Sequence, residues 1–68
     1  MEFGDPLTHR ETQVLAALGE GKTSKQIAQE LGLSVYTVNI HRKHICRKLG
    51  IHSTAQLVAF AAAKRKQA

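Results

Sequence analysis

Two segments with strong helix signals, 23–31 and 34–49, are separated by only Gly32 and Leu33. So short a join forces two helices to cross steeply, which is the geometry of a helix-turn-helix. That geometry makes three demands. The first helix needs a small residue at the crossing, and Ala28 stands there. The turn needs a backbone tolerant of left-handed angles, and Gly32 follows four residues on. The second helix needs an apolar residue facing back to the core, and Val38 comes six beyond the glycine. Ile27, Leu31 and Leu33 fill the remaining core positions. An ordinary αα-hairpin would explain the same apolar pattern, but not the distribution of charge described below.

Helix start signals occur on both sides of this unit. Thr8 with Glu11 is a capping box, in which hydroxyl and carboxylate satisfy two orphan N–H groups reciprocally. Val14, Leu15 and Leu18 follow at helical spacing, and Gly19 or Gly21 stops that helix. Thr23 with Gln26 repeats the box before Ile27. Ser34 is an N-cap candidate without a box partner, since Thr37 stands where Glu or Gln would be. Its helix, the recognition helix of the motif, should run over about 35–49, with Gly50 closing it. Ser53 with Gln56 opens a last helix holding Leu57, Val58, Phe60 and Ala61. The expectation is an all-α fold of four helices spanning 7–64, between a structureless tail 1–6 (MEFGDP) and a frayed basic tail 65–68.

A chain of 68 residues has room for one core. Its single cysteine, Cys46, excludes an intramolecular disulfide and fits a reduced, cytoplasmic setting. No apolar run approaches the roughly 20 residues needed to span a bilayer, and no basic-then-apolar leader begins the sequence, so no membrane partner is expected.

The net charge of +5 is unevenly spread. All five acids lie at or before Glu30, and every charged residue after it is a base: Arg42, Lys43, Arg47, Lys48, Lys64, Arg65 and Lys66. Such asymmetry points to a polyanionic partner, although a basic stretch is often only solvated surface. Position on the helix decides. At about 100° per residue, Val35, Val38, Ile45 and Leu49 fall on one side of 35–49 and should pack inward. Tyr36, Asn39, Ile40, Lys43 and Arg47 fall on the other. Two cations, an amide and one isoleucine suit a major groove. Lys43 can reach guanine acceptors or phosphate, Asn39 can pair with adenine, and Ile40 can meet a thymine methyl. Asn39, Ile40 and Lys43 are therefore the expected base contacts. Lys25, Ser34, Tyr36, Thr37, Arg47 and Lys48 are expected at phosphates or the groove edge, from helix starts, hydroxyls and bases.

In its motifs the sequence resembles the LuxR-type C-terminal helix-turn-helix DNA-binding domain, the GerE and NarL/FixJ kind. The matching elements are Leu7-Thr8-x-Arg10-Glu11, Val14-Leu15, Gly21, Ile27-Ala28, Leu31, Ser34, Thr37-Val38, His41, Ile45 and Lys48-Leu49. They run from residue 7 to about 60. The resemblance implies a four-helix module whose third helix enters the major groove of double-stranded DNA and whose fourth often forms a dimer contact. Its base-contacting positions correspond to Asn39, Ile40 and Lys43. Gln26 stands where Glu is usual, and Asn39 where lysine is frequent, which bears on the preferred base. Such domains are mostly outputs of larger signal-responsive regulators, and the opening MEFGDP favours an excised output domain over a stand-alone regulator. Ala55, Val58 and Ala62 widen the apolar arc of the fourth helix and are the expected homodimer contact. A twofold dimer would read an inverted repeat with half-sites about 10 bp apart. RNA polymerase is a further candidate partner.

Rival readings fare worse. His41, His44 and Cys46 are close in sequence, but Cys46 points away from both histidines, and no HExxH or paired CxxC is present. No metal or other cofactor is expected. His41 should be half-buried beside Val38 and Ile45, making a polar contact, with His44 at the DNA edge or in solvent. No paired carboxylate stands beside an activated nucleophile, so no enzyme is expected. A sigma-factor promoter-recognition domain shares an LTxRE-like opening, but the HRKHICRKLG run and the fourth helix argue against it.

Overall fold

The computed structural model describes residues 6–67, with side chains to residue 64. Residues 1–5 of the expected tail and residue 68 lie outside it. Four helices follow in order: α1 (His9–Gly19), α2 (Ser24–Leu31), α3 (Val35–Leu49) and α4 (Thr54–Gln67), with no strand among the described residues. This is the all-α architecture the caps imply. One boundary differs. α4 does not fray at Lys64 but continues to Gln67, as alanine, lysine, arginine and glutamine all favour helix.

The capping chemistry is as spaced in the sequence. Thr8 and Glu11 close α1 reciprocally, as do Thr23 and Gln26 for α2. Ser34 Oγ accepts from the Thr37 amide and donates to Thr37 Oγ1. At α4, Ser53 Oγ accepts from the Gln56 amide, but the Gln56 carbonyl reaches back one residue further, to the His52 amide. Each such cap is worth about 1 kcal/mol.

α1 is the hub of the packing, lying against both α3 and α4, while α2 rests on α3. Val14, Leu15, Leu18, Ile27, Ala28, Val38, Ile45, Leu57 and Ala61 form the core. Burying a large apolar side chain contributes about 1.5–3 kcal/mol, so this small set leaves caps and ion pairs to decide stability. Val35, expected inward, is 42% exposed. It lies in the first turn of α3, and the apolar stripe meets the core only from Val38 onward. Leu49 is half-buried.

The α2–α3 turn follows from one residue. Gly32 takes φ +70° and ψ +34°, which lets both its own N–H and that of Leu33 bond to the Ala28 carbonyl. Leu33 is thereby turned back against the core. The same pattern closes α3, where Gly50 and Ile51 donate to Cys46. A Cβ on Gly32 would meet open space, so only backbone strain opposes substitution. Gly32→Val should lower stability by about 2 kcal/mol. A thermal melt unchanged from the parent would contradict this account of the turn.

Candidate nucleic-acid interface

α3 has a dry side and a wet side. Val38 and Ile45 are fully buried, whereas Tyr36, Asn39, Lys43 and Arg47 are exposed. Ile40 is half-buried, so it contributes part of its surface to the wet side. The start of α2 lies beside this face: Ser24 Oγ donates a 3.0 Å hydrogen bond to Asn39 Oδ1 and accepts one from Arg42 Nη1. Lys25, next in sequence, is exposed. A shallow cleft of about 330 Å³ runs between α3 and α4, lined by Asn39, Arg42, Lys43, Cys46, Thr54 and Leu57. A larger apolar hollow of about 510 Å³ lies between α1 and α4, with no α3 residue in its wall.

Electrostatics leave the wet side positive. Three acids fall among the described residues, and lysines hold all of them. Lys22 Nζ lies 2.9 Å from both Glu20 and Glu30, and hydrogen bonds to Glu30 and then Glu20 hold its pKa above the usual lysine value. Lys48 Nζ lies 2.7 Å from Glu11. Among the described residues no ion pair engages Lys25, Lys43 or Arg47.

Lys48 corrects an expectation. Expected at a phosphate or the groove edge, its ammonium turns inward to the Glu11 carboxylate and the Pro6 carbonyl. The cause is Glu11 itself, 3% exposed and in need of a cation. Burial would raise the Glu11 carboxyl. The hydrogen bond from Lys48, that from the Thr8 amide, and the charges of Lys48 and His44 outweigh burial and hold it below the usual range. His44 Nδ1 sits 3.8 Å from the other Glu11 oxygen, so His44 faces α1 as well as solvent. His41 is half-buried as expected, but its Nδ1 is buried without the polar contact foreseen for it.

Two polar residues beside this face are not among the expected contacts. Ser24 was absorbed into a helix start, and Arg42 lies between the two sides of the α3 wheel. The register of residue 42 three beyond Asn39 was the signal available. Ser34 and Thr37 sit together at the N-terminus of α3, Ser34 exposed and Thr37 half-buried. Ala55 and Val58 are exposed on α4 and Ala62 is half-buried. Among the described residues no three His, Cys, Asp or Glu side chains converge as metal ligands, and no helix is long and apolar enough to cross a membrane.

Residues 5–61 match the family described as bacterial regulatory proteins, luxR family. The chain belongs to that family. The chain is 43% identical over 60 residues to the transcriptional regulatory protein MctR of Rhizobium johnstonii, covering 88% of this chain and 28% of that one. It is 49% identical over 53 residues to the transcriptional regulatory protein UhpA of Escherichia coli, covering 78% and 27%. It is 41% identical over 59 residues to the oxygen regulatory protein NreC of Staphylococcus aureus, covering 87% and 27%. The chain thus matches little more than a quarter of the length of these relatives. No solved structure matches it.

Proposed function

We propose that this luxR-family chain is the output domain of a signal-responsive regulator and lays α3 in the major groove of duplex DNA. The observation that carries this reading is the outward side of α3, where Lys43 and Arg47 are exposed and, among the described residues, without acidic partners, beside Asn39 and the half-buried Ile40. Asn39, Ile40 and Lys43 meet base edges. Lys25, Ser34, Tyr36, Thr37 and Arg47 hold the flanking phosphates, with both helix starts offering backbone N–H groups to the anion. Ala55, Val58 and Ala62 of α4 form the contact between two copies on an inverted repeat. Regulation by an upstream domain, and any contact with RNA polymerase, belong to the same proposal.

Selection of bound sequences from random duplexes tests it, since the site and its symmetry emerge together. Binding should weaken steeply with salt, because each neutralised phosphate releases counterions. Lys43→Ala should cost about 2 kcal/mol on the selected site and relax preference at one position. Unchanged affinity and preference would show that the wrong side of α3 has been assigned to the groove.

A further inference from the structure

The expected pairing of Asn39 with adenine assumed a free carboxamide, and the structure gives it a partner. Asn39 Oδ1 accepts the 3.0 Å hydrogen bond from Ser24 Oγ, and Ser24 Oγ accepts from Arg42 Nη1. The polarity of this chain of bonds follows from the Arg42 guanidinium at one end and the amide oxygen that faces Ser24 at the other. A guanidinium only donates, so Ser24 must receive on the side facing Arg42, and its one hydroxyl proton is left for Asn39. The acceptor end of the Asn39 amide is thereby engaged within the protein. The NH₂ end, with two donors, is what the exposed side chain offers outward.

Base edges in the major groove distinguish these cases. Adenine presents an acceptor, N7, beside a donor, N6–H₂, and a bidentate amide must answer with both its ends. Guanine presents two acceptors, N7 and O6. We propose that Ser24 is a positioning residue for base readout: held by Arg42, it fixes the Asn39 amide as a donor, so that this position of the site reads guanine over adenine. The inference rests on the proposed placement of α3 in the groove and adds to it the base that Asn39 selects. Ser24 stands one residue inside the Thr23 cap, so the closure of α2 does not depend on its hydroxyl.

The test compares sequences selected from random duplexes by the parent chain, Ser24→Ala, Ser24→Thr and Asn39→Ala. The parent should show a guanine position that Asn39→Ala alone abolishes. Ser24→Ala should shift the guanine-to-adenine ratio there by about ten-fold toward adenine, with every other position unchanged. Ser24→Thr, which keeps a hydroxyl, should restore the parental ratio. A merely structural role for Ser24 would lower affinity without moving the preference at one position. If the parent selects a site but Ser24→Ala leaves the profile intact, or if the Asn39 position reads adenine in the parent, the positioning role is overturned while groove binding stands. If the parent selects no sequence, both fall together.

Discussion

Lys48→Met is expected to lower the unfolding free energy by about 3 kcal/mol, read from urea denaturation. The substitution keeps most of the aliphatic stem and removes only the ammonium. What remains is the Glu11 carboxylate, its side chain 4% exposed, with one hydrogen bond from the Thr8 amide and His44 at 3.8 Å. A buried charge stripped of its partner is strongly destabilising. The loss stays moderate because the Lys48 side chain is 19% exposed and water reaches the site from that side. Glu11→Gln should cost less, about 1–2 kcal/mol. Its amide oxygen can still accept from Thr8, and the freed ammonium can turn to solvent. Equal losses for the two variants would mean that the charge on Glu11 does not need Lys48.

The same pair fixes a pH dependence. In the folded chain Glu11 titrates below its ordinary value, because the Lys48 and Thr8 hydrogen bonds and the nearby positive charge outweigh burial. Its contribution is therefore complete above the ordinary carboxylate range and is lost as pH falls through the depressed value. In Lys48→Met, burial dominates and the sign reverses: protonating Glu11 relieves the folded state. The stability gap between parent and variant should narrow on acidification from about pH 7 to about pH 3. A gap that holds constant over that range would assign the loss to packing rather than charge.

This ion pair also marks the limit of what the sequence disclosed. Local chemistry was legible. Thr8, Thr23 and Ser34 cap the helices they were read to cap, and Gly32 takes the left-handed angle the short join demands. The wet and dry sides of α3 emerged from a 100° wheel because one periodicity governs the whole helix. Partnerships between elements were not legible. Within its own segment Lys48 looks like a phosphate or groove-edge cation, because nothing in its neighbourhood along the chain shows that Glu11, on α1, is buried against it. The bond from Ser24 to Asn39 likewise joins two helices through side chains that look unremarkable within their own segments. Val35 failed for a related reason, since a wheel gives a direction but not where along the axis the core begins.

Gly19→Ala is expected to destabilise the chain by about 3 kcal/mol, although intrinsic helix propensity alone favours alanine by up to about 1 kcal/mol. The sequence offered Gly19 and Gly21 as equivalent stops for α1, and they differ in kind. Gly21 carries the positive φ of +87° and has open space around it. Gly19 ends the helix where the backbone of α4 passes close by. A Cβ there would lie 2.7 Å from the Ala61 carbonyl oxygen and 3.0 Å from its carbon. These are backbone atoms within a helix and cannot rotate aside, so α4 must move as a body and loosen Leu57 and Ala61 from the core. The sign of the change is thus the test: stabilisation would mean that α4 yields without loss. A double-mutant cycle with Ala61→Gly sharpens it. The Ala61 Cβ is an ordinary 3.5 Å away, so trimming it should not rescue Gly19→Ala. Rescue would place the crowding in the side chain and remove the reason for a glycine at this crossing.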